Sequence, residues 1–192
     1  MMSSEQVLNF WLDEVGPQGW YEASDALDAE IRERFLPVWQ DIIAGKMGMW
    51  LTYPSGTLAY IIVADQFSRN MFRNEARAFS SDRIALSAAK SAIDHNWDIR
   101  IDEPARQFFY LPLMHSENLC DQERCVRLMK TRMPETGESS LIHARVHREV
   151  IRLFGRFPYR NAALSRTSTQ IESDYMDSGG YAMTYQQLAK AS

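Results

Sequence analysis

Apolar residues recur every three or four positions along almost the whole chain, and strict alternation over five or more residues is hard to find. This spacing is typical of amphipathic α-helices, because about 3.6 residues complete one turn. The pattern therefore predicts an all-α fold of about eight helices. The expected helices cover residues 4–14, 25–44, 56–73, 81–95, 103–115, 117–130, 138–154 and 168–176.

Glycine, proline and capping residues set the expected boundaries of these helices. Asp25 and Ser55 are the expected N-caps of the second and third helices, and Pro37 is expected to bend or interrupt the second. Gly45 and Gly155 should end helices, Gly155 in the left-handed conformation. The connections are short, so neighbouring helices are expected to be antiparallel. We expect a single domain over residues 1–192, with a tail from about residue 177.

The composition of 45% hydrophobic and 24% charged residues over 192 residues is that of a globular domain. The net charge of −4 argues against nucleic acid as a partner, because affinity for a polyanion needs clustered Lys and Arg in excess. The first residues lack a basic segment, and no run approaches the roughly 18 apolar residues of a membrane span. We therefore expect a cytoplasmic protein with no membrane partner.

Cys120 and Cys125 lie five positions apart in a helical pattern, which turns them about 140° from each other and disfavours a disulfide. Both are expected to be ordinary buried or half-buried thiols.

A first apolar stripe ends in charged residues at the end of the third expected helix. On a helical wheel Asp65, Arg69 and Arg73 share the face of Leu58, with Gln66 and Asn70 close by in sequence. One interpretation is an ion pair between Asp65 and Arg69 at the rim of the core. The other is that Asp65 orients the two arginines toward an anionic ligand, because guanidinium groups match carboxylate or phosphate.

Two further stripes also end in polar residues. Phe108, Leu111 and Pro112 share a face with His115, which precedes Ser116 and Glu117. An isolated histidine on such a face is more often a core residue than a catalyst.

The third stripe contains His147, Val150, Ile151 and Phe154, and Arg156, Arg160, Asn161 and Arg166 follow it in a loop or short turn. His143 and His147 have the i, i+4 spacing of a metal pair, but no HExxH pattern accompanies them, so no metal is expected. Phosphate-loop, dinucleotide-binding, C-x-x-C and G-x-S-x-G motifs are missing from the sequence, and no cofactor is expected.

At these motifs the sequence resembles an uncharacterised bacterial protein family, the domain of unknown function 924, over most of the chain. The matching segments are Phe10-Trp11; Asp65-Gln66-Phe67 with Arg69, Asn70 and Arg73; Leu111-Pro112 with His115, Ser116, Glu117 and Gln122; and His147 with 154–158, Arg160 and Asn161. The resemblance implies a tetratricopeptide-like α-α superhelix and implies no named activity. The chain departs from the family pattern at Tyr159, usually His, and Ser165, usually Gly, and its Gly179-Gly180 tail does not align.

The motif residues coincide with the polar ends of the three stripes, and this coincidence predicts one shared cavity. In this cavity His115 and His147 are candidate proton carriers. The expected ligand-binding residues are Asp65, Gln66, Arg69, Asn70, Arg73, Glu117, Arg156, Arg160 and Asn161.

Three functions stay open at this point. The favoured one is a helical binding module for an anionic small molecule or an acidic peptide. The second is a metal-independent hydrolase or transferase with His115 or His147 as general base. In the third, the residues form a buried ion-pair network that fixes helix packing. Helical surfaces of this kind often self-associate, so a homo-oligomer also stays open.

Overall fold

The structure is a computed structural model that describes residues 2–190. Its regular secondary structure is helical, and no strand occurs in the described range, which confirms the predicted all-α fold. The tetratricopeptide-like superhelix stays a prediction. The chain divides into two compact units, one up to Pro112 and one from Leu113 onward, here called the N-terminal and C-terminal units. The single-domain prediction is not tested by this division.

In residues 2–190 we find no helix whose length and apolar content would suit it to cross a membrane.

The N-terminal unit is built from α-helices joined by short 3₁₀ and π segments. The α-helices are α1 (Ser4–Leu8), α2 (Gly16–Gly19), α3 (Asp25–Ile43), α4 (Pro54–Ile61), α5 (Ser68–Met71) and α6 (Asp82–Asp94). π-helical segments cover Asn9–Val15 and Ile62–Phe67. The 3₁₀ segments are Gly48–Thr52, Ala76–Phe79, Asp98–Arg100 and Ala105–Phe109.

Local chemistry explains where these helices begin and end. The hydroxyl of Ser24 accepts a hydrogen bond from the N–H of Leu27, so Ser24 is the N-cap of α3, and the prediction of Asp25 was wrong by one residue. α3 continues through Pro37 and stops before Gly45, whose φ is 72°. Pro54 occupies the first position of α4, so Ser55 lies inside the helix and does not cap it.

The third expected helix is divided by a π-helical segment. Residues Ile62–Phe67 have the wider π turn, and α5 then ends at Met71. A π turn takes up an extra residue, which rotates the following side chains relative to the wheel of a regular helix. Arg73 therefore lies beyond the helix, and its predicted place on the face of Leu58 was wrong.

Aromatic side chains form the centre of the N-terminal unit. Phe10, Trp11, Phe35, Phe67 and Phe108 are all buried, and each contacts at least one other ring of this group. The ring centroids of Phe10 and Phe35 lie 4.8 Å apart, and those of Trp11 and Phe67 lie 5.2 Å apart. Burying one such side chain contributes roughly 2–3 kcal/mol. Phe10 and Trp11, which carry part of the family resemblance, both lie in this core.

The short helix α7 (Leu111–Met114) and the 3₁₀ segment before it replace the single helix expected over residues 103–115. Pro112 sits in the first turn of α7, where a missing N–H leaves no helical hydrogen bond unmade. A helix start at this proline explains why the predicted continuous helix does not form.

The C-terminal unit consists of two long helices and three shorter elements. They are α8 (Leu119–Arg132), α9 (Glu138–Phe154), a 3₁₀ turn (Pro158–Arg160), α10 (Gln170–Asp177) and α11 (Gly180–Lys190). α9 has the predicted bounds, and Gly155 closes it with φ at 70° and a hydrogen bond to the carbonyl of Ile151. α11 was not predicted. It begins at Gly180, directly after Gly179, and both glycines have a positive φ; the last expected helix ended before them, at residue 176.

The core of the C-terminal unit lies between α9, α10, α11 and the 3₁₀ turn. Val150, Ile151, Phe157 and Tyr175 are buried there, and Phe154 and Met183 pack against them. The hydroxyls of Tyr175 and Thr184 lie 3.0 Å apart, which joins α10 to α11 inside this core. α11 is thus anchored by both apolar and polar contacts.

The two cysteines differ in their environments. Neither is in a disulfide, as expected, and Cys125 is buried in α8. Cys120 is exposed in the first turn of the same helix, so the prediction of a buried or half-buried thiol was wrong for it. Burial raises the pKa of the Cys125 thiol, which keeps it protonated at neutral pH.

Candidate functional site

Asp28 on α3 binds two of the residues predicted to hold a ligand. The Arg73 guanidinium donates from Nε and Nη2 to the two carboxylate oxygens of Asp28, at 2.7 and 2.9 Å. Asn70 donates from Nδ2 to Oδ1 of the same carboxylate at 2.7 Å. Asp28 was not predicted, because its partners lie more than forty residues away in sequence. The anion that Arg73 binds through two of its nitrogens is therefore a carboxylate of the chain itself.

Asp65 and Arg69 form the i, i+4 ion pair that the helical wheel suggested. Arg69 Nη1 lies 3.2 Å from Asp65 Oδ1 and donates to the Asp65 backbone carbonyl at 2.6 Å. The same guanidinium reaches Asp82 on α6, where Nη2 donates to Oδ2 at 3.1 Å. Gln66 donates from Nε2 to Asp65 Oδ2. The Asp65 side chain is almost completely buried, so these donors compensate the loss of its hydration.

Arg156 and Glu172 form a comparable pair in the C-terminal unit. Arg156 donates from Nε and Nη2 to the two oxygens of Glu172. Glu172 is also the third residue of a capping box at the start of α10, where it accepts from the N–H of Thr169 at 2.8 Å. The hydrogen bonds from Arg156 and then from Thr169 lower the pKa of Glu172 to about 2. Glu172 was missed because its partner precedes it by sixteen residues.

Glu117 is held by donors from the turn that follows α9. It accepts from the Phe157 N–H at 2.8 Å and from both terminal nitrogens of Arg166, at 2.8 and 3.0 Å. Burial opposes ionisation, but Arg166 and the Phe157 N–H outweigh it and lower the pKa of Glu117. Asn161 accepts from Arg166 Nε at 3.0 Å and donates to Ser168 at 3.1 Å.

Gln122 positions the turn that carries His115. Its amide nitrogen donates to the carbonyls of Leu113, Met114 and Ser116, at 3.4, 2.6 and 2.7 Å. The hydroxyl of Ser116 donates to Asp121 at 2.8 Å. Ser116 is therefore hydrogen-bonded to the first turn of α8. His115 lies in a turn that the Gln122 side chain of α8 holds by hydrogen bonds.

His147 lies at the centre of a group of rings. Its Nδ1 is 2.8 Å from the carbonyl oxygen of His143, one turn earlier on α9. The ring centroids of Tyr181, Phe157 and His115 lie 5.2, 5.4 and 6.2 Å from that of His147. Burial lowers the pKa of His147 to about 3, and the neighbouring charges of His115 and Arg160 act in the same direction.

α11 supplies two tyrosines to this group of rings. The Tyr181 hydroxyl forms a hydrogen bond with His143 Nδ1 at 2.5 Å and lies 3.5 Å from His147 Nδ1. The Tyr185 ring lies 5.0 Å from that of His143. Both tyrosines were missed, because α11 was not predicted. An aromatic residue following paired glycines was the only signal in the sequence.

Arg160 brings positive charge to the same group. It is buried in the 3₁₀ turn, and its guanidinium carbon lies 4.4 Å from the Phe157 ring centroid. Phe157 thus contacts both Arg160 and His147. Tyr159, where the family pattern has His, stacks on Phe157 with ring centroids 5.3 Å apart. We call His115, His147, Phe157, Arg160 and Tyr181 the histidine cluster.

The predicted residues divide between the two units. Asp65, Gln66, Arg69, Asn70 and Arg73 belong to the N-terminal unit, and the other predicted residues belong to the C-terminal unit. Their convergence in one cavity stays a prediction. In the described part of the chain, no group of three or more His, Cys, Asp or Glu side chains is arranged to hold a metal ion.

Comparison with known proteins places this arrangement in a family. A family model described as a bacterial protein of unknown function, DUF924, matches residues 7–180. A solved structure of a protein of unknown function, ATU0120 from Agrobacterium tumefaciens, is 32% identical, with a TM-score of 0.86 over 91% of this chain and 97% of the other. No curated protein matches the chain. The chain belongs to the DUF924 family of bacterial proteins.

Proposed function

We propose that this chain is a binding protein for a small anionic molecule, and that its site is the histidine cluster of the C-terminal unit. The observation that carries the proposal is His147 Nε2. Nδ1 of the same ring is engaged with the His143 carbonyl, whereas no group in residues 2–190 forms a hydrogen bond with Nε2. Arg160 adds a positive charge near this ring.

The contacts of the other predicted arginines support a structural role for these residues. Arg73 and Arg156 each use two nitrogens on one carboxylate of the chain, and Arg69 bridges two carboxylates. An acidic peptide would have to displace these intramolecular partners. We therefore favour a small molecule over an acidic peptide. The ion-pair network of the third hypothesis then describes these arginines.

A hydrolase or transferase with His147 as general base is the second candidate. The deprotonated Nε2 favours it, because a base needs a lone pair facing its substrate. General bases work best when their pKa lies near the operating pH, and a pKa of about 3 makes His147 a weak base. The same lone pair suits a hydrogen-bond acceptor, so binding remains the function that we propose.

A thermal-shift screen tests the proposal. Purified protein is heated with small anions at millimolar concentration, and the measurement is repeated for Arg160→Gln. A ligand at about 100 times its Kd stabilises the native state by about 2.7 kcal/mol. For a domain of this size that is a rise in Tm of about 5–10 °C.

The matched control is Arg152→Gln, because Arg152 is exposed on the same unit and pairs with Glu149, three residues earlier on α9. We expect at least one anion to raise the Tm of the wild type and of the control, and to leave Arg160→Gln unchanged. An equal response of all three proteins would place binding elsewhere and contradict the proposed site.

A further inference from the structure

The N-terminal unit has a cavity of about 330 Å³ between α4, α6 and the segments next to them. Small-molecule sites in proteins have volumes of roughly 300–1,000 Å³, so a small ligand fits this cavity. Its inner surface is apolar, because the buried side chains of Ala88 and Ala92 on α6 lie there. Ser87 and Ser91 on the same helix are exposed and line its entrance.

Short side chains on α6 explain why the space is open. Ala88 and Ala92 lie one helical turn apart, and a methyl group at each position leaves room that a larger side chain would fill. Trp97 lines another side of the cavity just beyond α6. Its backbone N–H donates to the Ala92 carbonyl at 2.9 Å, and the His95 ring lies 5.4 Å from the Trp97 ring. The indole is thus held next to the open space.

Tyr60 on α4 lines the same cavity and has a hydroxyl without a partner. Its side chain is 7% exposed, and no group in residues 2–190 forms a hydrogen bond with the hydroxyl. The other buried hydroxyl of the lining, that of Thr57, donates to the Trp50 carbonyl at 3.3 Å. Buried polar groups are normally hydrogen-bonded, so the Tyr60 hydroxyl indicates a partner that enters the cavity.

The lining also indicates the chemistry of that partner. No charged side chain of the described residues lines the cavity, so an ion would lose hydration there without compensation. The rings of Tyr60 and Trp97 favour another aromatic ring beside them. Burial raises the pKa of Tyr60, which keeps its hydroxyl protonated at neutral pH and able both to donate and to accept.

We propose that this cavity binds a small uncharged aromatic molecule, whose hydroxyl, carbonyl or N–H group forms a hydrogen bond with the Tyr60 hydroxyl. Substituted benzene and indole rings have this chemistry. The site is additional to the histidine cluster, whose residues all belong to the C-terminal unit. It takes a neutral ligand, so it does not depend on the proposed anion binding.

NMR of the ¹⁵N-labelled full chain tests the proposal, because each tryptophan gives one indole N–H signal. The probes are benzamide, phenol and indole, and the charged comparisons are benzoate and benzylamine. We expect at least one uncharged probe to shift the Trp97 signal to saturation and to leave that of Trp11, buried in the aromatic core, unchanged. We also expect it to bind about tenfold or more tightly than both charged compounds. The variant Trp97→Phe assigns the signal.

Tyr60→Phe is the matched variant, because it keeps the ring and removes the hydroxyl. We expect the probe to bind it about tenfold more weakly, and we expect the Tm without ligand to be unchanged, because no hydrogen bond within residues 2–190 is lost. Ser87→Leu should block the entrance. Arg83→Leu is its control, since Arg83 is exposed one turn earlier on α6 and does not line the cavity.

The proposal is wrong if none of the three uncharged probes shifts the Trp97 signal, or if a charged comparison binds as tightly as they do. Equal affinity of wild type and Tyr60→Phe would also overturn it, because the hydroxyl would then have water alone as its partner. If Arg83→Leu loses binding to the same extent as Ser87→Leu, the probe binds elsewhere and the assigned cavity is wrong.

Discussion

At the scale of single residues, Glu172 shows how one carboxylate serves two purposes. It accepts from the Thr169 N–H as part of the capping box of α10, and it receives two hydrogen bonds from Arg156. Its side chain is 4% exposed. A carboxylate so removed from water remains ionised only because these donors replace its hydration. Glu172 therefore joins the start of α10 to the turn that follows α9.

Replacing Glu172 with Gln separates the two purposes. Glutamine can keep the capping box, since its side-chain oxygen still accepts from Thr169, but it loses the negative charge. We expect Glu172→Gln to lower the free energy of unfolding by about 2 kcal/mol, the value of a charge-assisted hydrogen-bonded pair. Urea denaturation followed by circular dichroism measures this loss. Glu149→Gln removes the half-buried partner of the exposed Arg152 and should change stability little, and equal effects would contradict the argument.

The low pKa of His147 has a consequence for stability in acid. In the unfolded chain the imidazole has a pKa of about 6.5, and in the folded chain it is about 3. Below pH 6.5 the unfolded state thus binds more protons, so this contribution to stability is present above pH 6.5 and is lost as the pH falls toward 3. Burial lowers the pKa of His143 as well, which adds to the same trend.

Between pH 6.5 and 5, we expect the free energy of unfolding to fall by roughly 1 kcal/mol per pH unit through His147 alone. The variant His147→Phe should have a flatter dependence over this range. His95→Gln is the control, because His95 is exposed at the end of α6. Urea titrations at half-unit pH intervals give the slopes, and the same slope in wild type and His147→Phe would refute the linkage.

Which of these residues could be predicted depends on the distance along the chain. The Asp65–Arg69 pair followed from a helical wheel, because its members are one turn apart. Asp28, Glu172 and Tyr181 did not, because they meet their partners across 45, 16 and 38 residues. The periodicity of apolar residues specifies which face of a helix a side chain occupies. It does not specify which other helix packs against that face.

At the scale of helices, a helix end that needs a left-handed residue was predicted correctly. Gly155 has a left-handed conformation that ends α9 at the expected residue. The π-helical segments were not predicted, since a run of apolar residues such as 61–64 gives the same pattern for either kind of turn. Ser165, where the family pattern has Gly, also has a positive φ of 53°. The family preference at this position thus has a backbone explanation.

Gly155→Ala tests the left-handed end of α9. An added Cβ would meet no atom within 4 Å, so any loss of stability comes from the backbone conformation alone. We expect a decrease of about 1 kcal/mol in the free energy of unfolding. Gly48→Ala provides the control: its Cβ also has open space, and its φ is not positive. A comparable loss in both variants would mean that conformation is not the cause.

At the scale of the whole molecule, the five tryptophans all lie in the N-terminal unit, at positions 11, 20, 39, 50 and 97. Tryptophan fluorescence therefore reports on that unit alone. The exposed Cys120 is a site for a dye in the C-terminal unit. Because Cys125 is buried, the dye should attach to Cys120 only.

These two probes test the prediction of a single domain. If the chain is one cooperative domain, urea unfolding followed by tryptophan fluorescence and by the Cys120 dye should have the same midpoint. Cys125→Ser, labelled in the same way, confirms that the signal comes from Cys120. Two separated midpoints would mean that the units unfold independently, and the chain would then have two domains.

The double use of Glu172 also limits how this part of the chain can change in evolution. Arg156 directly follows the glycine that ends α9, and Glu172 lies in the first turn of α10. An inserted or deleted residue between them would have to be absorbed by the loop without moving either end of the Arg156–Glu172 pair. The pair thus restricts the length of this loop. Related chains that keep both residues should differ here by substitution far more often than by length.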